Sequence, residues 1–553
     1  MADPLWLSIF GATLLAGILS GIPVMLILGG MPVLVALVAS LFGAFDLTFL
    51  QAYPQRAFGV MQNSLLVAVP LFVLMGVLLE KSRVAERMLM QVGRVLGGSP
   101  RALTIAVLLI ATLIAASTGI IGATIVMLGL ISLPAMLRVG VEKGTASGLI
   151  CAAGTLGQII PPSIVLILLG DQVANAYLDA QQRAGNFAPD AVTVGHLFAG
   201  ALLPGLALVL LYGLYVGVRV PGGSSTPWQD AQADNPGIWE VLREALPPIL
   251  LILAVLGSIL AGVATPTEAA AIGVAGTLLL TAARVRSAEG VTERDTASAP
   301  PSEGLAATAV NAPGLSGERR SPAWLRHAMT VTGLVAFALV GLRLTGVGRI
   351  NLASGDVVLT PGAVLALVLT VILVAGLILA IVTLWRAGVL TAALGQAVQV
   401  SAMIVGIILA ASMLALVFRG FGGDEWVHGL LTALPGDHRS MLLFTLLVIF
   451  VMGFVLEFVE IVFIVVPLVG PILLQDVDPV WFAVLVALNL QTSFLTPPFG
   501  FALFYYRSVA PPDITTGVIY RAIIPFVIIQ LLTLGLVFAW PPLATWLPSV
   551  LFG

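Results

Sequence analysis

Charge is what this sequence has least of. Asp, Glu, Lys and Arg make up 9% of its 553 residues, against 59% that are hydrophobic, and the mean hydropathy is +1.10. A soluble domain carries roughly 25% charged residues, so a soluble fold of this length could not cover its surface. Cysteine is almost absent: the single Cys151 rules out an internal disulfide and a thiolate metal cluster. The four histidines, His196, His327, His428 and His438, form no HExxH pair, and no GxSxG opens a helix. The motifs of intramembrane metallo- and serine proteases are therefore missing, which leaves an intramembrane enzyme as a remote alternative. Lysine occurs only at Lys81 and Lys143, and the net charge of −3 argues against a nucleic-acid partner.

What is there is apolar sequence in long runs. They fall at about 5–21, 23–44, 58–80, 102–118, 122–137, 145–158, 162–175, 196–218, 246–263, 266–283, 328–346, 360–385, 396–417, 440–456, 460–474, 481–492, 498–508 and 520–546. Continuous rather than alternating runs indicate an all-α polytopic membrane protein in a lipid bilayer, not a β-barrel. The first run has no basic residue ahead of it and reads as a span rather than a cleavable signal. Segments 102–118 and 122–137, and again 440–456 and 460–474, are separated by only a few residues. Each pair reads as a re-entrant helical hairpin. Segments 145–175 and 481–508 are each interrupted by a Pro-Pro step, Pro161-Pro162 and Pro497-Pro498, because proline removes a helical hydrogen bond and clashes with the preceding turn.

With hairpins returning to their starting side and the N-terminus periplasmic, 18 of the 24 basic residues fall on the cytoplasmic side. Residues 1–101 then form N-terminal scaffold helices and an interfacial amphipathic arm, and 102–218 a first repeat core. Residues 219–283 are scaffold. Residues 284–327, rich in Ser, Ala, Pro, Glu and Arg, read as a disordered cytoplasmic linker. Residues 328–385 hold a pair of transmembrane helices, 386–439 a scaffold helix and periplasmic loop, and 440–553 a second repeat core with the last helix. Hairpin and Pro-Pro break recur in the same order, with 27 residues from Pro134 to Pro161 and 26 from Pro471 to Pro497. The two units insert with opposite orientation, so they form an inverted repeat of the kind secondary transporters use.

Broken helices leave backbone groups unpaired, which is tolerated only where they are buried in protein or line a polar cavity. The polar residues gather at those places. The first hairpin tip offers Ser117, Thr118, Gly119, Gly122 and Thr124, and its broken span Thr155, Gly157 and Gln158. The second tip offers Glu457 and Glu460, and its broken span Gln491, Thr492, Ser493 and Thr496. Hydroxyl, amide and carbonyl oxygens with few charges suit a hard monovalent cation better than a transition metal. Other polar residues have plainer readings. Glu268 reads as a helix cap with Thr265 or Thr267, Asp171 as solvated at the interface, and His428 and His438 as loop residues.

The stretches NSLLVAVPLFVLMGVLLE (63–80), ASTGIIGATIVMLGLISLPAMLRVG (116–140), ASGLICAAGTLGQIIPPSIVLILLG (146–170), ATPTEAAAIGV (264–274), VMGFVLEFVEIVFIVVPLVGPIL (451–473) and LNLQTSFLTPPFGFALFYYRSVAPPDITTGVIYRAIIPF (488–526) resemble the large (M) membrane subunit of tripartite ATP-independent periplasmic (TRAP) transporters, in the ion transporter superfamily. Two features depart from that pattern. Residues 284–385 look like an insertion, and Glu457 stands where the family commonly has Asp. The resemblance implies an elevator-type fold in the bacterial inner membrane and uptake of an organic acid coupled to sodium ions, with no other cofactor. It implies one sodium site at 117–124 with 154–158, a second at 457–460 with 491–496, and the substrate between them. It also implies two partners, a periplasmic substrate-binding protein (P) and a small four-helix membrane subunit (Q). A stand-alone carboxylate symporter of the same superfamily is the alternative.

Overall fold

The computed structural model describes residues 4–95, 99–119, 121–223, 238–284, 323–345, 361–498 and 500–553. Every regular element among them is helical. Nine of these helices are long and apolar enough to cross a membrane. Most of the predicted 284–327 linker lies outside the described residues.

The two repeat units share one plan. Helices Pro100–Thr118 and Ile121–Arg138 form the first helix–turn–helix, turning at Gly119, whose φ of 60° is open to glycine at little cost. Helices His438–Met452 and Phe458–Leu473 form the second. Behind the first, Lys143–Thr155 passes through a 3-10 turn, breaks at Pro161-Pro162 and resumes as Ile164–Arg183. Behind the second, Pro479–Leu495 breaks at Pro497-Pro498 and resumes as Phe501–Val509. Both Pro–Pro bonds are cis. From Thr145 to Thr155 and from Val480 to Leu495 every residue is buried. The run TASGLICAAGT is mostly small residues, which lets neighbouring backbones approach closely, the usual basis of helix association in lipid. The Cβ that Gly148 lacks would lie 2.5 Å from the Ala522 carbonyl oxygen on Thr516–Ala539.

Around these units stand Val24–Leu41, Ala68–Lys81, Pro266–Ala282 and the 32-residue Val389–Gly420, packed on one another. Ala68–Lys81 meets the first hairpin and Val389–Gly420 the second. Ala323–Thr345 and Pro361–Arg386 are two further long apolar helices. They pack on each other and on Pro266–Ala282. Only 17% and 11% of their span residues are buried, so they sit at the periphery with apolar sides turned outward. The basic amphipathic stretch forms Val84–Val95, which lays Met88 and Leu89 inward against its neighbours Ile238–Leu260 and Pro100–Thr118.

Four expectations need correction. The 58–80 run is not continuous: Tyr53–Gln62 ends at Asn63, a 3-10 turn follows, and the span begins at Ala68. Asn63 breaks the helix because its side-chain oxygen accepts from Leu65 N (2.9 Å) in an extended backbone, the local competition typical of asparagine. The last run, 520–546, stops at Ala539, and Pro542–Phe552 folds back as a separate helix on Val194–Arg219, since Pro541-Pro542 cannot continue the helix. Within 386–439, the segment expected as a loop after the scaffold helix holds a further helix, Gly423–Thr432. Asp171 is not solvated. Ile164–Arg183 runs well past 175, so Asp171 lies inside it, 7% exposed, accepting from Asn63 Nδ2 (2.9 Å) and Gln172 Nε2 (3.0 Å).

That bond gives a first test. Asn63→Ala removes one of two donors to a buried carboxylate and is expected to cost about 1–3 kcal/mol, seen as a lowered melting temperature of the purified protein. An unchanged melt would restore the solvated reading of Asp171.

Candidate functional site

Each tip packs directly on its own break. The Cβ that Gly157 lacks would lie 2.9 Å from the Ala115 carbonyl oxygen, and that of Gly154 2.2 Å from Ile125. Glycine at these positions is what lets the first hairpin close on the first interrupted helix. In the second unit, Gly453 presses on Ser493 in the same way, and Asn489 Nδ2 donates to the Leu446 carbonyl (2.7 Å). Thr124 is buried on the first unit's returning helix, Ile121–Arg138. The side chains of Ser117 and Thr118 lie outside the described set.

The two units also meet each other. Thr155 and Gln491 stand at the same distance before their Pro-Pro steps, and Gln491 Nε2 donates to Thr155 Oγ1 at 3.4 Å. Gln530, on Thr516–Ala539, donates to the same hydroxyl at 3.4 Å, and the hydroxyl itself donates to the Ala152 carbonyl at 2.8 Å. All three side chains are fully buried. Both amide atoms of Gln158 and the Oε1 atoms of Gln491 and Gln530 are buried without a hydrogen-bond partner. Such orphaned atoms are costly in a low-dielectric interior. Neutral oxygens of this kind match the donor set a hard monovalent cation takes. Thr492, Ser493 and Thr496, in contrast, turn their hydroxyls back on their own helix, to the carbonyls of Leu488, Leu490 and Thr492 (2.7, 2.9 and 2.7 Å).

The two glutamates at the second tip have different duties. Glu460, 3% exposed, accepts from Glu457 N at 2.7 Å and so caps the helix Phe458–Leu473 from within its first turn. Glu457 is the N-cap residue, and its Oε1 lies 3.5 Å from the Tyr505 hydroxyl. Glu268 forms a capping box with Thr265, as its position suggests. Among the described residues, no group of three His, Cys, Asp or Glu could hold a metal ion.

Both tips open on one cavity of about 120 Å³. Gly119 and Gly122 of the first tip, Glu457 and Phe458 of the second, and Val400, Met403 and Ile404 of Val389–Gly420 line it. Phe494, Phe501 and Tyr505 complete the wall, so four aromatic rings face the space, and among the described residues Glu457 is the only formal charge in the lining. At the end of the core away from this cavity's tips, Lys143 pairs with Asp513 and holds its carboxyl below the usual carboxylate range. Gln530 and Tyr505 were missed by sequence reasoning. Gln530 stands alone in an apolar helix. Tyr505 sits in an aromatic cluster, FALFYY, whose register against the tips only the fold supplies.

The sequence profile described as "Tripartite ATP-independent periplasmic transporter, DctM component" matches residues 12–385 and 359–543. Relatives include the C4-dicarboxylate TRAP transporter large permease protein of Vibrio cholerae, 25% identical over 494 residues, covering 88% of this chain and 86% of the relative. The protein of the same name from Rhodobacter capsulatus is 32% identical over 46% of this chain and 57% of its own length. The ectoine/5-hydroxyectoine TRAP transporter large permease of Ruegeria pomeroyi is 27% identical over 46% of this chain and 57% of its own. These relatives are named as transporter permeases, not enzymes. Among solved structures, the Alcanivorax borkumensis YdaH transporter aligns over 90% of this chain and 88% of its own, at 14% identity and a TM-score of 0.47.

Proposed function

Because this chain belongs to the DctM family of tripartite ATP-independent periplasmic transporter components, we propose that it is the large permease of a three-part, sodium-coupled importer of small organic acids in a bacterial inner membrane, working by an elevator motion. The observation that carries this reading is convergence: two helix–turn–helix tips and two interrupted helices, from opposite halves of the chain, meet at one cavity against a long scaffold helix. Sodium ions at the two tips would be held by tip and break oxygens, the first near Gly119, Gly122, Thr124, Thr155 and Gln158, the second near Glu457 and Gln491. Among the described residues, no Arg or Lys lines the cavity. A carboxylate substrate would therefore draw its countercharge from the bound ions, which makes binding of the two interdependent by electrostatics.

The repeat units would move as one body past the scaffold, carrying the cavity from one membrane face to the other. A small membrane subunit (Q) would brace the scaffold, and a periplasmic binding protein (P) would deliver the substrate. The relatives' printed substrates, C4-dicarboxylates and ectoines, set the size class. The test is reconstitution in proteoliposomes with an imposed sodium gradient. Uptake is expected only when both partner proteins are present and sodium is on the outside. Equal uptake by this chain alone would establish a stand-alone symporter instead, and equal uptake under a potassium gradient would remove the sodium coupling.

A further inference from the structure

Tyr505 touches both tips. On one side its ring packs against the first hairpin: a Cβ on Gly122 would come within 2.8–3.0 Å of three of its ring carbons. On the other, its hydroxyl is 3.5 Å from Glu457 Oε1, the N-cap of the second hairpin's returning helix. It is 36% exposed and forms part of the cavity wall between them.

The helix that carries it is fixed by the rest of the core. Val509, one turn on, fills the space above Gly129 of the first hairpin, with Cγ2 at 2.7 Å from where a Cβ would be. Tyr506 donates to Ser147 Oγ at 2.7 Å, and Phe501 meets Phe494 edge-on at 5.7 Å. The ring position is therefore held by the first unit, while the hydroxyl reaches the second. The residue at the same distance after the first unit's Pro161 is Leu169, fully buried. Repeat packing thus does not require a tyrosine here, and the hydroxyl breaks the internal symmetry.

We propose that Tyr505 is a positioning residue that couples the two hairpin tips, so that ordering either tip with its ion favours ordering the other. This rests on the sodium reading above. At 3.5 Å the hydroxyl and carboxylate are at the outer limit of a hydrogen bond. Ordering of Glu457 by a cation fixes the hydroxyl, the hydroxyl fixes the ring, and the ring is the wall against which the Gly119–Gly122 turn closes. Thermodynamic linkage makes the effect reciprocal.

The experiment needs no substrate. Purified full-length protein in lipid nanodiscs is melted across a sodium chloride series, with potassium chloride holding ionic strength constant. Wild type is expected to show a sigmoidal sodium response with a Hill coefficient of about 2. Tyr505→Phe keeps the ring and loses the hydroxyl. It is expected to melt as wild type without sodium, to show a Hill coefficient of about 1, and to need about 5–10-fold more sodium at the midpoint. A sodium response in Tyr505→Phe identical to wild type, or a non-cooperative response in wild type, would overturn the coupling alone. A wild type indifferent to sodium over potassium would overturn the sodium reading, and the coupling with it.

Discussion

Thr155→Val is expected to lower sodium-driven uptake about 100-fold or more, the equivalent of about 2.7 kcal/mol. The substitution keeps the shape and removes one oxygen. That oxygen accepts from both Gln491 and Gln530, at 3.4 Å each, in a site with no exposed surface. Without it two amide donors are left unpaired, each worth about 1–3 kcal/mol. They then turn on the neighbouring break carbonyls that the ions would use. Thr492→Val makes the contrast. Its hydroxyl donates only to the Leu488 carbonyl of its own helix, so its loss is expected to change uptake by less than about 3-fold, near the small net value of one such bond. The two threonines look equivalent in the sequence. Equal effects in sodium-gradient uptake, at matched membrane expression, would refute the hub role of Thr155.

The second large effect is on stability. Gly148→Ala is expected to destabilise by about 3 kcal/mol, seen as a sharp loss of monodisperse protein on mild heating in detergent. The new methyl would sit 2.5 Å from the Ala522 carbonyl oxygen, 2.9 Å from its carbon, and 3.0 Å from the Phe526 ring. A backbone carbonyl cannot swing aside as a side chain can, so Lys143–Thr155 and Thr516–Ala539 would have to separate. Gly257→Ala is the control. It also lies within an apolar helix, Ile238–Leu260, but nothing approaches its Cβ position within 4 Å. There alanine is expected to stabilise by about 0.5–1 kcal/mol through helix propensity. Equal melts for the two variants would show that helix packing at Gly148 is looser than these distances require.

Much of the organisation was legible because lipid allows so few solutions. Apolar run length identifies spans, and Pro-Pro inside a run identifies a break, since no water is present to repair the lost hydrogen bond. The recurrence of hairpin and break at nearly the same spacing then exposed the repeat. What failed had one local and one long-range cause. Asn63 looked like a polar residue inside one continuous span, yet its side chain competes with the helix and forms a turn. Asp171 looked like a boundary residue because charge usually marks the end of a span. It is buried because Asn63, more than a hundred residues away in sequence, supplies a donor to it. Pairings at that separation leave no periodic trace in either segment.

The sequence by itself determined the solvent, the class of secondary structure, the recurring unit of hairpin and break and the residue types that gather at its breaks, because each follows from composition or from local backbone chemistry. Only the tertiary structure decided which of those polar residues act together. It joins Thr155 to Gln491 and Gln530, assigns Glu460 to a helix cap, and places Tyr505 between the two tips. The physical reason is the one that makes the chain a membrane protein. With so little charge, each buried polar group must find its partner across the fold, and that partner is set by packing rather than by position along the chain.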